Sequence, residues 1–178
     1  MMDFSKIIIR RLQPDDDVRS FKCTDEDLND FLFSEAKDYQ EQLLAVTYLV
    51  INTENQDLVA YYSLLNDTIK FTEENKSVRN KINRKIPHAK QRTSYPAVKL
   101  GRLAVSSDYA HQGIGEMILS YIKHAFTHGN RTGCRFVTVD AYASAVPFYQ
   151  TKGGFLFFTG SDTEEETRQM FYDLRNFR

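Results

Sequence analysis

Cysteine is scarce: Cys23 and Cys134 are the two in 178 residues. That is too few for a disulfide framework or a zinc cluster, and both read as buried, reduced thiols suited to the cytoplasm. Long apolar runs are lacking as well. No stretch approaches the roughly 18 residues of a membrane-spanning helix, and the opening MMDFSKIIIRRLQPDDD has no long apolar core. Membrane insertion and secretion therefore find no support. Charge of one sign is also missing: 23 Lys and Arg stand against 24 Asp and Glu, net −1, so total charge argues for no polyanionic partner. No repeat, low-complexity tract or linker divides the chain. With 42% hydrophobic and 26% charged residues it reads as one soluble globular domain over residues 1–178.

What is present is organised around Val98–Gly129. Val98–Val105 is apolar enough for a central strand. Ser106–Gly115 is turn-rich and ends in Gly113-Ile114-Gly115. Ile114, Met117, Ile118, Tyr121, Ile122, Ala125 and Phe126 then fall on one helical face, with Gly129 as the stop. Strand, glycine loop and helix aim free N–H groups and a positive dipole end at an anion. The loop is not a P-loop, because no Lys-Ser or Lys-Thr follows the glycines. It is not the dinucleotide fingerprint either, because Ile118 stands at the third glycine position. A plain strand–helix turn remains an alternative.

Around this segment, Ile7–Leu12 reads as a first strand. Thr24 is the expected N-cap of a helix whose inner face is Leu28, Phe31, Leu32 and Glu35–Ala36. Leu43–Ile51 and Leu58–Leu65, joined by a polar connection, suit an antiparallel hairpin. Lys76–Arg92 carries seven Lys or Arg residues, His88 and no acid, with Pro87 and Pro96 breaking the chain before the central strand. This run is either a solvated face or a local anion-binding surface. Arg135–Ala141 is a strand. Ser144 is the expected cap of a helix with Pro147 in its first turn, ending at Gly153-Gly154. Phe155–Thr159 and Met170–Leu174 are strands flanking the acidic turn Ser161–Glu166. A mixed sheet with helices on its faces follows.

The loop Ala110-His111-Gln112-Gly113-Ile114-Gly115 resembles the pyrophosphate loop of the GNAT superfamily of acyl-CoA-dependent N-acyltransferases. Ala110 departs from it, standing where that superfamily has Gln or Arg. Ala145-Val146-Pro147-Phe148-Tyr149 with Gly154-Phe155 resembles a second GNAT motif, with one extra residue between Tyr149 and Phe155. Phe21-x-Cys23, Leu28-x-x-Phe31-Leu32, Tyr61–Leu64 and Leu100–Val105 resemble the subgroup containing bacterial toxins that acetylate aminoacyl-tRNA.

The resemblance implies an α/β (α+β) fold: a mixed, mostly antiparallel sheet, helices on both faces and splayed central strands. It implies acetyl-CoA as cosubstrate and no metal. Leu103 and Val105 would meet the pantetheine arm, and the backbone of His111, Gln112, Gly113, Ile114 and Gly115 the pyrophosphate. The Leu103 N–H would stabilise the oxyanion. Tyr149 would protonate the departing thiolate, since a phenol with a pKa near 10 keeps its proton at neutral pH. Arg102, inside the central strand, is expected either to pair with an acid such as Asp140 or to serve the acceptor site. The implied acceptor is an amine, on an aminoacyl-tRNA or on a small polyamine or peptide. A ribbon–helix–helix antitoxin and a homodimer are the implied partners. A catalytically silent acyl-CoA-binding module stays open as the other class of function.

Overall fold

In the computed structural model of the chain, residues 3–73, 75–87, 92–158 and 166–177 are described. They fall into two compact units, Met1–Leu65 with Leu100–Leu119, and Asn66–Lys99 with Ser120–Arg178. Strands β3 (Leu58–Lys70) and β4 (Ser94–Val105) and helix α4 (Ile114–His128) each contribute to both.

In the first unit, β1 (Ile7–Arg11) pairs antiparallel with β2 (Val46–Asn52), from Ile7↔Asn52 to Arg11↔Tyr48. Strand β2 makes the expected hairpin with β3, Val46↔Leu64 through Val50↔Ala60, before a bulge brings Ile51 opposite Leu58. Between β1 and β2 the chain is helical: α1 (Glu26–Asp30), a π-turn at Phe31–Glu35, and α2 (Ala36–Glu41). Phe21, Phe31, Leu32 and Ala36 pack with Leu49, Tyr61 and Ala104 in one buried cluster.

Two local expectations need correcting here. Asp25, not Thr24, caps α1, its carboxylate accepting from the N–H groups of Asp27 (3.0 Å) and Leu28 (3.4 Å). A full negative charge serves the positive helix end better than a hydroxyl. Strand β2 starts at Val46 rather than Leu43. Leu43 takes φ 59° and is 91% exposed, and the N–H of Leu44 closes on the Tyr39 carbonyl at 2.9 Å. The end of α2 uses these residues as its C-terminal turn.

In the second unit, β4 pairs parallel with β5 (Phe136–Tyr142) over Ala97↔Phe136 to Lys99↔Thr138. Strand β5 pairs antiparallel with β7 (Thr167–Asp173) along its whole length, and β6 (Leu156–Phe157) borders β7. The sheet is mixed and mostly antiparallel, in the order β1-β2-β3-β4-β5-β7-β6. Helix α3 (Lys76–Asn83) turns Val78 and Ile82 onto a cluster containing Ile69, Phe136 and Phe171. Phe171 faces that cluster, and its neighbour Tyr172 lies under Lys123 of α4, 4.0 Å from the ammonium to the ring centre. Alternation along β7 therefore puts helices on both faces.

Pro96 does not end the chain before β4 but lies inside it, its carbonyl accepting from Arg135 N–H at 3.4 Å. Ser144 sits in a 3-10 turn, Ala143–Ala145. The N-cap of α5 (Val146–Thr151) is Ala145, which makes no side-chain cap bond. Thr159, Ser161 and most of the acidic turn lie outside the described residues, as do His88 and Lys90. No helix among the described residues is long and apolar enough to cross a membrane.

Candidate active site

The loop of the first unit is built from its strand outward. After Val105, the N–H of Ser106 donates to Val59 O and that of Ser107 to Lys22 O, both at 2.8 Å. A 3-10 turn, Ser107–Tyr109, is anchored by the Tyr109 hydroxyl, which donates to Asp57 at 2.5 Å and accepts from Asn55 at 3.0 Å. His111 and Gly113 then take left-handed conformations, φ 60° and 83°. For His111 this is an uncommon state. Gly113 reaches it at no steric cost.

The first bond in the body of α4 runs from Met117 N–H to Gly113 O at 3.0 Å. The N–H groups of Gly113, Ile114 and Gly115 thus have no acceptor inside the helix. Successive amides around left-handed residues at a helix start form a concave, positively polarised surface. His111 and Gly113 are exposed and Gln112 half-buried, so the loop is open to an incoming anion, while Ile114 anchors it from beneath. Backbone supplies the donors, and Ala110 adds none from its side chain.

Leu103 and Val105 are half-buried at the end of β4. Arg102 does not pair with Asp140. Its guanidinium lies 4.9 Å from the Phe31 ring centre, 4.0 Å from Asp27, and donates to Gly101 O at 3.0 Å. Nε has no partner. Asp140 is held by Lys99 instead. A position two residues from Leu100 does not by itself show which way a long cation reaches, and here the π-turn presents Phe31 to it.

Tyr149 belongs to the second unit and is buried on α5, edge-on to Phe155 at 5.5 Å and to Phe148 at 5.1 Å. Burial pushes its phenol well above the ordinary tyrosine value. No hydrogen-bond partner for the hydroxyl is found among the described residues. The end of α5 is closely tied: Phe155 N–H donates to Tyr149 O at 2.9 Å and Gly154 N–H to Gln150 O at 3.1 Å. Gly154 takes φ 66°, and this left-handed step absorbs the extra residue before Phe155.

Sequence reasoning missed Lys123. It is 6% exposed, and Nζ donates to Gly153 O at 2.6 Å. Its signal was the Leu119–Lys123 spacing, a buried helical edge beside the Ile114, Ile118, Ile122 line. Tyr121, expected inside, is 42% exposed.

The basic run folds in part as α3. Lys76, Lys81, Arg84 and Lys85 are exposed, Arg79 is half-buried, and Val78 and Ile82 face inward. Lys76 is paired with Glu73 at 2.9 Å.

Residues 22–170 match the family model described as an acetyltransferase (GNAT) domain. No curated protein matches the chain. Solved structures similar to it include a KacT variant, 22% identical over 97% of each chain with TM-score 0.74. AtaTR bound with acetyl-CoA is 20% identical over 97% of this chain and 96% of that one, TM-score 0.75. AtaT complexed with acetyl-methionyl-tRNAfMet is 23% identical over 95% of each, TM-score 0.70.

Proposed function

Because the chain belongs to the GNAT acetyltransferase family, we propose that it transfers the acetyl group of acetyl-CoA to the α-amino group of an aminoacyl-tRNA. The observation that carries acyl transfer is Tyr149: a buried phenol, held neutral by its surroundings, with no protein partner for its proton among the described residues. Its proton is not committed to another protein group and is left for a thiolate brought beside it.

In this reading the open amides of His111 to Gly115 hold the pyrophosphate, and the backbone of Leu103 and Val105 lies along the pantetheine arm. Acetyl-CoA supplies the thioester. A neutral amine adds to the carbonyl carbon, forming the C–N bond, and the carbonyl oxygen becomes an oxyanion that the Leu103 N–H stabilises. The C–S bond breaks and Tyr149 gives its proton to sulfur. The nitrogen loses its surplus proton to water, from which the phenolate is reprotonated.

Support for the tRNA acceptor is of two kinds. A similar fold, AtaT, has been solved with acetyl-methionyl-tRNAfMet, and α3 and the turn after it display Lys81, Arg84 and Lys85 to solvent. Phosphate contacts dominate nucleic-acid affinity, so a local basic face matters at a net charge near zero. AtaT has also been solved with the C-terminus of the antitoxin AtaR. By that analogy an antitoxin partner belongs to the same reading, and the family resemblance adds that it is a ribbon–helix–helix protein and that the toxin is a homodimer acting in the cytoplasm. A polyamine or peptide amine is the competing acceptor. Release of free thiol from acetyl-CoA, compared across charged tRNA, uncharged tRNA and spermidine, separates them. Only charged tRNA should drive it, and spermidine alone driving it would sink the tRNA reading.

A further inference from the structure

Arg102, in the first unit, has more donors than the protein gives it acceptors. Its guanidinium carries five N–H bonds, and one acceptor is found for them among the described residues: Gly101 O, 3.0 Å from Nη1. Nη2 stands 4.0 Å from the Asp27 carboxylate, too far for a hydrogen bond. Nε is buried and has no partner, a shortfall that native structures seldom leave without a reason. The group is also held in place. The Phe31 ring lies 4.9 Å beneath it, and that ring is buried against Tyr61 at 6.3 Å and Tyr39 at 5.6 Å. Phe31 opens the π-turn, a helix irregularity frequent at functional sites.

This guanidinium is tethered beside the N–H proposed for the oxyanion. Ser106 N–H donates to Val59 O on β3, and backbone groups alternate between the two edges of a strand. Leu103 and Val105 therefore aim their N–H groups at the other edge of β4. Arg102 supplies the carbonyl half of the Leu103 peptide bond, and Nη1 is tied back to Gly101 O, so the charge stays close to that peptide. Asp27, Phe31, Val59 and Arg102–Ser106 all belong to the first unit.

Charge and hydrogen-bonding capacity are unequal here. Helix α1 brings Asp27 near, with Asp25 at its cap and Glu26 and Asp30 along it, so the cation already has acidic neighbours that a further anion would meet. What it lacks is a neutral oxygen, and the side chain is 38% exposed, open to one. A polyamine offers no such oxygen, and its second charge would be repelled by the guanidinium. An α-aminoacyl group carries a carbonyl on the very carbon that bears its amine. We propose that Arg102 donates from Nη2 to the carbonyl oxygen adjoining the acceptor amine, and so selects α-aminoacyl acceptors over polyamines. Its fixed charge also disfavours the ammonium form of that amine, which cannot attack the thioester. The proposal rests on the amine-acetylation reading and names the residue that chooses the acceptor.

The test is a cycle of binding measurements on neutral product analogues, so no titrating amine intervenes. One probe is an N-acetyl-aminoacyl adenosine with a stable 3′-amide link, the other the same molecule with an (E)-alkene in place of that amide. Each is titrated by calorimetry with coenzyme A present, against wild type, Arg102→Met and Arg102→Lys. Arg102→Met keeps a stem against Phe31 and removes every donor; coenzyme A affinity checks that each variant is folded. The preference for the amide over the alkene should be roughly tenfold or more larger in wild type than in Arg102→Met, the worth of a hydrogen bond from a charged donor. Arg102→Lys should retain part of it. In turnover, Arg102→Met should lower kcat/KM for charged tRNA relative to that for spermidine. Equal preference in wild type and Arg102→Met, with charged tRNA still acetylated, overturns the contact and leaves the acceptor reading standing. The same Arg102-dependent preference for an N-acetyl dipeptide amide, without acetylation of any charged tRNA, would keep the contact and sink the tRNA reading.

Discussion

Lys123 Nζ donates to the carbonyl of Gly153 at 2.6 Å while the ring of Tyr172 lies 4.0 Å from the same ammonium. A buried lysine thus fastens α4 to the chain just beyond α5. Lys123→Met keeps the length and removes the donor, stranding a carbonyl. The expected cost is about 1–3 kcal/mol, seen as a thermal midpoint several degrees lower. An unchanged midpoint would show the contact to be incidental.

Gly113→Asp should abolish acetyl-CoA binding in a folded protein. It puts a carboxylate where the pyrophosphate is proposed to sit, at a backbone φ of 83° that disfavours any side chain. Like charges about 4 Å apart near a protein surface repel by roughly 4 kcal/mol, enough for well over tenfold in affinity. Calorimetric binding at wild-type strength would move the site elsewhere.

Charge reversal at Arg79, Arg84 and Lys85 should depress transfer to charged tRNA while leaving acetyl-CoA affinity intact. If these side chains meet phosphates, the dependence of log affinity on log salt should also flatten by roughly two to three units. A tRNA titration across salt concentrations checks both, and an unchanged slope would return α3 to the role of solvated surface.

The Arg10–Asp16 pair sets an acid dependence. Two hydrogen bonds from Arg10, at 2.6 and 2.7 Å, hold the Asp16 carboxyl below its ordinary value, helped by the Gln13 N–H. A depressed folded-state pKa means the contribution is complete above the unfolded value near 3.9 and fades as pH falls through the folded one. Asp16→Asn should therefore destabilise the protein by about 1 kcal/mol at pH 7, a figure limited by solvent screening. The gap to wild type should close below about pH 4. Urea midpoints across pH test this, and a gap that widened in acid would contradict it.

The strand, loop and helix of Val98–Gly129 were legible because apolar periodicity and glycine spacing are local signals. The family followed from short motifs that survive at fixed spacing. Legibility failed where tertiary contacts decide. Leu43 and Leu44 look like strand residues, yet a left-handed turn ending α2 takes them. Pro96 looks like a break but lies inside β4. Arg102 is drawn to Phe31 by a π-turn that no spacing rule announces. Asp67 and Thr138, 71 positions apart, meet through sheet topology, so the cavity they line leaves no trace in the sequence.

Mass spectrometry of the product bears most directly on acetyl transfer to an aminoacyl amine. Purified protein, acetyl-CoA and a pool of charged tRNA should yield N-acetylated aminoacyl-tRNA, one for each free thiol released. Tyr149→Phe, with its packing on Phe155 retained, should lower that yield on the order of 10²-fold. Thiol release without an acetylated amine, or no acetylated product from any charged tRNA with wild-type protein, would contradict the account.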